Sequence, residues 1–263
     1  MSAKQHRIRV QQLHAGYLEN KILSDITIDI PDGSITALIG ANGCGKSTLL
    51  KTIARFLDPT EGTVVLDGKE ITDYSRRGLA QLLAVLPQSP IAPEGLSVRE
   101  LVRFGRHPHR RLLSRTDDDD ERIIDAALNE AGMRELADRD VEQLSGGQRQ
   151  RAWIAMALAQ DTGILLLDEP TTYLDITHQH EVLRLLRRLN RNQGRTIIMV
   201  LHDLNQAARF ADRIIALADG GVVAVGSPEE VITVETIREV FDLECAIIDN
   251  PLDGTPLCLT IDD

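Results

Sequence analysis

The chain has 263 residues, 43% hydrophobic and 26% charged, enough apolar material for a sizeable globular core. Its net charge of −11 excludes the basic footprint that bulk nucleic-acid binding needs, although a few local donors suffice for a nucleotide. The three scattered cysteines form no CxxC pair and fit a reducing compartment; no apolar run nears the roughly 20 residues of a membrane span, and the opening MSAKQHRIRV lacks the apolar core of a signal peptide.

In chain order, Ile26 to Ile30 alternates apolar and polar residues, and Pro31-Asp-Gly33 reads as a turn. Ser34 to Ile39 reads as a buried strand, followed by Gly40-Ala-Asn-Gly-Cys-Gly-Lys-Ser-Thr48 and a helix predicted over Lys46 to Phe56. Strand, glycine loop and helix is the context that gives G-x-x-x-x-G-K-[ST] its meaning. Gly40, Ala41, Asn42, Gly43, Cys44 and Gly45 let the backbone curl so that successive N–H groups point inward at phosphate, aided by the positive end of the helix. Lys46 would neutralise β- and γ-phosphates, Ser47 would offer its hydroxyl to Mg²⁺, and Thr48 ends the nucleotide-contacting stretch. Cys44, beside Lys46, lies where positive potential favours the thiolate, so its alkylation is expected to block ATP binding.

Asp58 to Gly62 reads as a turn, and Gly62 to Leu66 with Asp67-Gly68 as a hairpin arm and its turn. Leu82 to Leu86 reads as a strand closed by Pro87 and Gln88. From about Ser89 to Gln160 helical periodicity replaces strand signals, which implies a helical insertion. Inside it, Arg103, Arg106, Arg110, Arg111 and Arg115 precede Asp117-Asp-Asp-Asp120. One reading is a solvated face with Thr116 as helix cap and aspartates at the helix's positive end; the other has the arginines face a partner or anionic lipid.

A second glycine loop, Ser145-Gly-Gly-Gln148, opens a helix predicted from Gln148 to Ala159. Ser145, Gly146 and Gly147 offer a hydroxyl and amides to an anion. The loop lacks a lysine, so it reads as half of a site, reaching the γ-phosphate of ATP on a second copy of the chain. Gly163 to Asp168 is another apolar strand; Asp168 suits the magnesium shell, and Glu169 suits a general base that polarises the attacking water. A helix is predicted over Ile176 to Asn192, then a strand from Arg195 to His202. Alternating strands and helices imply a largely parallel sheet whose strand ends gather polar groups at one edge. Gln88 there could reach magnesium and water, and His202 the γ-phosphate. The pairs His107/His109 and His178/His180 sit two residues apart, on different helix faces, so they are not read as metal ligands.

Taken together, GANGCGKST, Gln88, LSGGQ, ILLLDE, Thr172-Tyr-Leu-Asp175 and His202 resemble, in family order and over nearly the whole chain, the six motifs of ABC transporter ATPase subunits. The resemblance implies a P-loop NTPase (RecA-like) α/β fold: a parallel-sheet core with an N-terminal antiparallel β part over 1–88 and 161–225, a helical signature subdomain over 89–160 and a short C-terminal extension over 226–263. It implies ATP and Mg²⁺ as ligands, with Ser47, Gln88 and Asp168 at the metal. Tyr17 would stack on adenine, while Ser145, Gly146, Gly147, Gln148 and Asp175 would complete the site in a head-to-tail pair. Gly105-Arg-His-Pro-His109, Gln150 to Met156, Thr171 to Gln179 and Asp253-Gly-Thr-Pro-Leu257 are similar to ferric-siderophore importer ATPases, the ferric enterobactin type above all. That narrower likeness implies a peripheral subunit on the cytoplasmic face of the bacterial inner membrane. Its partners would be a second copy, integral-membrane permease subunits and, indirectly, a substrate-binding protein, with no contact to nucleic acid or to the siderophore itself. A haem or vitamin B12 importer, or a soluble ABC ATPase, are the alternative readings.

Overall fold

Ile26, Ile28 and Ile30 are buried, while Thr27 between them is exposed, the period-two pattern of a strand with one face on a core. The computed structural model describes residues 6–18, 20–110 and 118–261, and two compact units emerge: Met1–Asp73 with Thr196–Asp263, and Tyr74–Arg195. In the first unit, β1 (His6–Tyr17) pairs antiparallel with β2 (Asn20–Pro31), setting Ile8 opposite Ile30 and Val10 opposite Ile28. Next come β3 (Ile35–Gly40), with all six residues buried, α1 (Lys46–Ile53), β4 (Glu61–Leu66) and β5 (Lys69–Glu70). The antiparallel sheet has the order β2-β1-β4-β5. Asp67 and Gly68 take φ of 48° and 79°, the two left-handed residues of the tight hairpin expected there. Helix α1 ends three residues before the predicted Phe56. Arg55 adopts φ 58°, and the Phe56 amide turns back to the Lys51 carbonyl at 2.8 Å, a left-handed stop that apolar periodicity does not reveal.

The second unit holds α2 (Arg76–Ala80), β6 (Leu83–Leu86), α3 (Val98–Phe104), α4 (Asp118–Glu130), α5 (Gly146–Ala159), β7 (Ile164–Leu167) and α6 (Ile176–Gln193). β6 and β7 run parallel, from Leu83 beside Ile164 to Leu86 beside Leu167. Asp118, Asp119, Asp120 and Glu121 fill the first turn of α4, where the helix dipole favours anions. Three arginines of the preceding stretch pair with that turn. Arg103 donates to Glu121 at 2.9 Å, and buried Arg106 donates to buried Asp120 at 2.7 Å and to the Ala159 carbonyl at 2.9 Å. Arg110 lies 3.9 Å from the same aspartate. Arg106 therefore serves packing of the helical unit, while Arg103 and Arg110 make their ion pairs at its surface. Arg111, Arg115, Thr116 and Asp117 lie outside the described residues.

The chain returns to the first unit with β8 (Thr196–Val200), α7 (Leu204–Phe210), β9 (Arg213–Ala218), β10 (Gly221–Gly226), α8 (Pro228–Val231) and α9 (Val234–Phe241). It closes with β11 (Cys245–Asp249) and β12 (Pro256–Thr260), a separate antiparallel hairpin. β3 is flanked in parallel by β8 and β9, and β10 pairs antiparallel with β9. The α/β class and the parallel arrangement read from the sequence are both present. Among the described residues no helix is long and apolar enough to cross a membrane.

Because Arg106 and Asp120 are both buried, removing one partner strands a charge. Arg106→Met should destabilise the chain by about 3 kcal/mol, and Arg106→Met/Asp120→Leu should recover part of that loss. Urea unfolding midpoints of the two variants test this; equal midpoints for the single variant and the parent would refute it.

Candidate functional site

The phosphate loop begins where β3 ends. In the first unit the last register pair of β3 and β8 is Leu38 with Val200, and Gly40 and His202 each follow two residues later. The Leu201 amide still donates to the Leu38 carbonyl at 3.1 Å, so the two chain ends leave the sheet at one level. Parallel pairing thus brings His202 beside the phosphate loop, and His202 is exposed.

Helix α1 has no side-chain cap. Its N-cap is Gly45 at φ 107°, where a Cβ would lie 2.5 Å from Leu23 Cδ2, so both the dihedral and the packing demand glycine. The first amides of an uncapped helix lack partners within the helix, the donor arrangement that accepts a phosphate. Lys46 is buried, and its ammonium donates to the Gly40 and Ala41 carbonyls, each at 2.8 Å. Ala41, Asn42 and Gly43 are exposed at the loop's outer side, Ser47 is half-buried, and Thr48 is buried. Cys44 is buried, with its sulfur 3.8 Å from Lys46 Nζ; an alkylating reagent reaches it only if the loop opens. Tyr17 stands at the end of β1 with 44% of its surface exposed, which leaves ring area for stacking.

The second unit repeats the strand-end logic. The last pair of β6 and β7 is Leu86 with Leu167, and Gln88 and Glu169 each follow two residues on. They meet: Gln88 Nε2 donates to Glu169 Oε2 at 2.6 Å. Thr172 Oγ1 donates to the same oxygen at 2.9 Å. Thr172, read from the sequence only as the start of the Thr172-Tyr-Leu-Asp175 motif, is a neighbour of Glu169, three residues beyond it and within reach of a tight turn. Glu169 takes φ 54° and Tyr173 φ 64°, an uncommon left-handed backbone for such residues and a mark of a constrained loop. Asp168 is buried, and its amide prolongs the strand pairing by donating to the Leu86 carbonyl at 2.9 Å.

The second glycine loop differs from its expected form. Helix α5 starts at Gly146, two residues before the predicted Gln148, because Ser145 is its N-cap. The Ser145 hydroxyl oxygen accepts from the Gln148 amide at 3.3 Å, and Gln148 Oε1 accepts from the Ser145 amide at 3.1 Å. In this reciprocal box the Ser145 amide, one of the groups read as open to an anion, is engaged by Gln148, while the Ser145 hydroxyl keeps its proton for donation. Gly146 is exposed, with Leu174 Cδ2 at 3.7 Å from where a Cβ would lie. Gly147 is buried against the His178 ring, where an added Cβ would come within 2.3 Å. His178 is held in turn by Asp175, the N-cap of α6, whose carboxylate accepts from both the His178 amide and Nδ1. The His178 amide holds the Asp175 carboxyl below its usual range. His109 Nε2 lies 2.8 Å from the Gln160 carbonyl. Both histidines therefore have hydrogen-bonding work within the unit.

Gly147→Ala should cost roughly 1–3 kcal/mol through the clash with His178, while Gly146→Ala should be nearly silent. Gly147→Ala/His178→Ala should regain most of the loss. Melting temperatures of the three variants decide; an unchanged value for Gly147→Ala would contradict the contact.

Residues 23–172 match the family model described as ABC transporter. The chain is 53% identical over 255 residues to the iron(3+)-hydroxamate import ATP-binding protein FhuC of Bacillus subtilis, covering 97% of this chain and 95% of that one. It is 52% identical to the petrobactin import ATP-binding protein FpuD of Bacillus anthracis, with coverage of 97% and 93%. With the ferric enterobactin transport ATP-binding protein FepC of Escherichia coli it shares 49% identity over 255 residues, covering 97% of this chain and 94% of that one. Among solved structures, the dimeric ATP-binding cassette MJ0796 bound to ADP and Pi superposes with a TM-score of 0.74 at 30% identity, covering 84% of this chain and 98% of that one. With the phosphate loop, the strand-end carboxylates and the self-capped signature helix all in place, the chain belongs to the ABC transporter family as an ATP-binding, ATP-hydrolysing subunit.

Proposed function

We propose that this chain powers the import of a ferric siderophore across a bacterial inner membrane, working from the cytoplasmic face as a pair of copies bound to integral-membrane permease subunits and served by a substrate-binding protein. The observation that carries the reading is identity of 49–53%, over almost the full chain, to three import ATP-binding proteins for iron chelates. In this reading the uncapped amides of α1 and the Lys46 ammonium bind the phosphates of ATP, and Tyr17 stacks on its adenine. Ser145, Gly146, Gly147 and Gln148, with Asp175, serve the ATP held by the partner copy.

Ser47, Asp168 and Gln88 fit Mg²⁺ by donor chemistry, since a hydroxyl, a carboxylate and an amide oxygen are the hard ligands that ion takes. Bound magnesium would neutralise charge on the β- and γ-phosphates. Glu169 acts as the general base toward the attacking water, oriented by the two hydrogen bonds that converge on its Oε2. His202, level with the phosphate loop, hydrogen-bonds the γ-phosphate and responds to its departure. The siderophore touches other subunits only.

Glu169→Gln should retain ATP binding, lose at least about a hundredfold in turnover, and accumulate as an ATP-bound dimer. Light scattering at saturating ATP tests the two-copy site, and a monomer there would contradict it. Transport is tested by deleting the chain and measuring growth on single iron sources. Growth should fail on one or more ferric siderophores and be restored by the parent gene but not by the Glu169→Gln variant. Unimpaired growth on every siderophore, with loss on haem or of cobalamin uptake, would overturn the substrate class.

A further inference from the structure

Helix α7 begins immediately after His202 and Asp203, and it has only seven residues. A helix that short is not stable alone, so its place is fixed by what it packs on. Asp203 caps it, accepting from the Gln206 amide at 2.9 Å, which ties the backbone next to His202 to the first turn of α7. Two residues one turn apart on α7 reach the C-terminal hairpin. Asn205 Nδ2 donates to the Cys258 carbonyl at 3.1 Å, and Asn205 Oδ1 accepts from the Cys258 amide at 2.8 Å. Both backbone groups of Cys258 are therefore engaged by one side-chain amide, which occupies that edge of β12 as a third strand would. Arg209 Nε lies 3.2 Å from Asp253 Oδ2.

The hairpin is preorganised for these contacts. Asp253 accepts from Thr255 Oγ1 at 2.7 Å, the Asn250 amide donates to the Thr255 carbonyl at 2.9 Å, and the Gly254 amide donates to the Asn250 carbonyl at 2.8 Å. At its base the Ile261 amide donates to the Glu244 carbonyl at 3.0 Å, and Arg238 forks onto the Glu244 carboxylate. A two-stranded hairpin is marginal by itself. This one is closed by its own loop and anchored to α7 at Cys258 and Asp253. The segment Asp253–Leu257, one of those carrying the likeness to siderophore-importer ATPases, thus has a structural task that the six nucleotide motifs do not account for.

We propose that the β11–β12 hairpin is a positioning element for hydrolysis, with Asn205 and the Arg209–Asp253 pair holding the start of α7 so that His202 keeps its level beside the phosphate loop. Asn205 acts through His202 and touches no nucleotide. The inference rests on the reading of His202 as the γ-phosphate contact. A small displacement of a group that acts on the transferring phosphoryl costs turnover more than binding.

The test uses the full chain. Asn205→Asp keeps shape but loses the donor to the Cys258 carbonyl. It should lower kcat about tenfold while KM for ATP and the Kd of a fluorescent ATP analogue stay within about twofold. Arg209→Asp and Asp253→Arg should each lower kcat, and their combination should restore most of it, an outcome a general loss of packing would not give. His202→Ala separates the two levels. If it hydrolyses ATP at the parent rate, the reading of His202 fails. If it abolishes hydrolysis while Asn205→Asp keeps the parent kcat, the hairpin inference fails alone. An equal change in kcat and KM with no recovery in the swapped pair would also overturn it. Should Asn205→Asp not fold, the swapped pair decides.

Discussion

Parallel strands end at the same level when their register is fixed, and the chemistry of both units depends on that. In β3 and β8 the pair Leu38–Val200 puts Gly40, the last residue of β3, and His202 at one level. In β6 and β7 the pair Leu86–Leu167 does the same for Gln88 and Glu169. A shift of one residue in either pair would turn alternate side chains to the opposite face and separate the partners. The continuous apolar runs in these strands therefore do more than fill a core: β3, β7 and β8 have every strand residue buried, and that burial fixes the register.

The two glycine loops share a resemblance in sequence and differ in how their helices begin. The helix after Gly45 has no side-chain cap, and it starts from a left-handed glycine. The helix after Ser145 is capped by its own serine and glutamine. The first leaves amides for a ligand that brings its own negative charge. The second is stable as it stands and presents a rigid, prefolded turn. Gly147 has a different reason to be glycine: it lets the His178 ring lie against the helix start, and that ring is fixed by Asp175. The signature segment and the Thr172–Asp175 loop thereby form one packed piece.

Much of this was legible in the sequence because the signals were local. Strand, glycine loop and helix in succession point to phosphate, and an apolar run ending in Asp168-Glu169 points to a strand-end carboxylate pair. What remained unread depended on contacts between distant segments. Asp120 is indistinguishable by composition from its aspartate neighbours, yet of Asp118, Asp119 and Asp120 it alone is buried, against Arg106. Thr172 joins Glu169 because the chain turns through left-handed residues that no periodicity announces. The start of α5 was placed late since glycine weakens the helical pattern, whereas the Ser145–Gln148 box overrides that weakness. The C-terminal hairpin is two five-residue strands whose anchoring residue, Asn205, lies 53 positions away from Cys258.

Lys46 carries a consequence for the kinetics of the cycle. Its ammonium already has two carbonyl partners within its own loop. In the proposed reading, nucleotide arrival would be a ligand exchange on the lysine, in which phosphate oxygens replace peptide oxygens and no bare buried cation has to be tolerated. On that reading the same carbonyls would recapture the ammonium after hydrolysis, giving product departure a built-in acceptor.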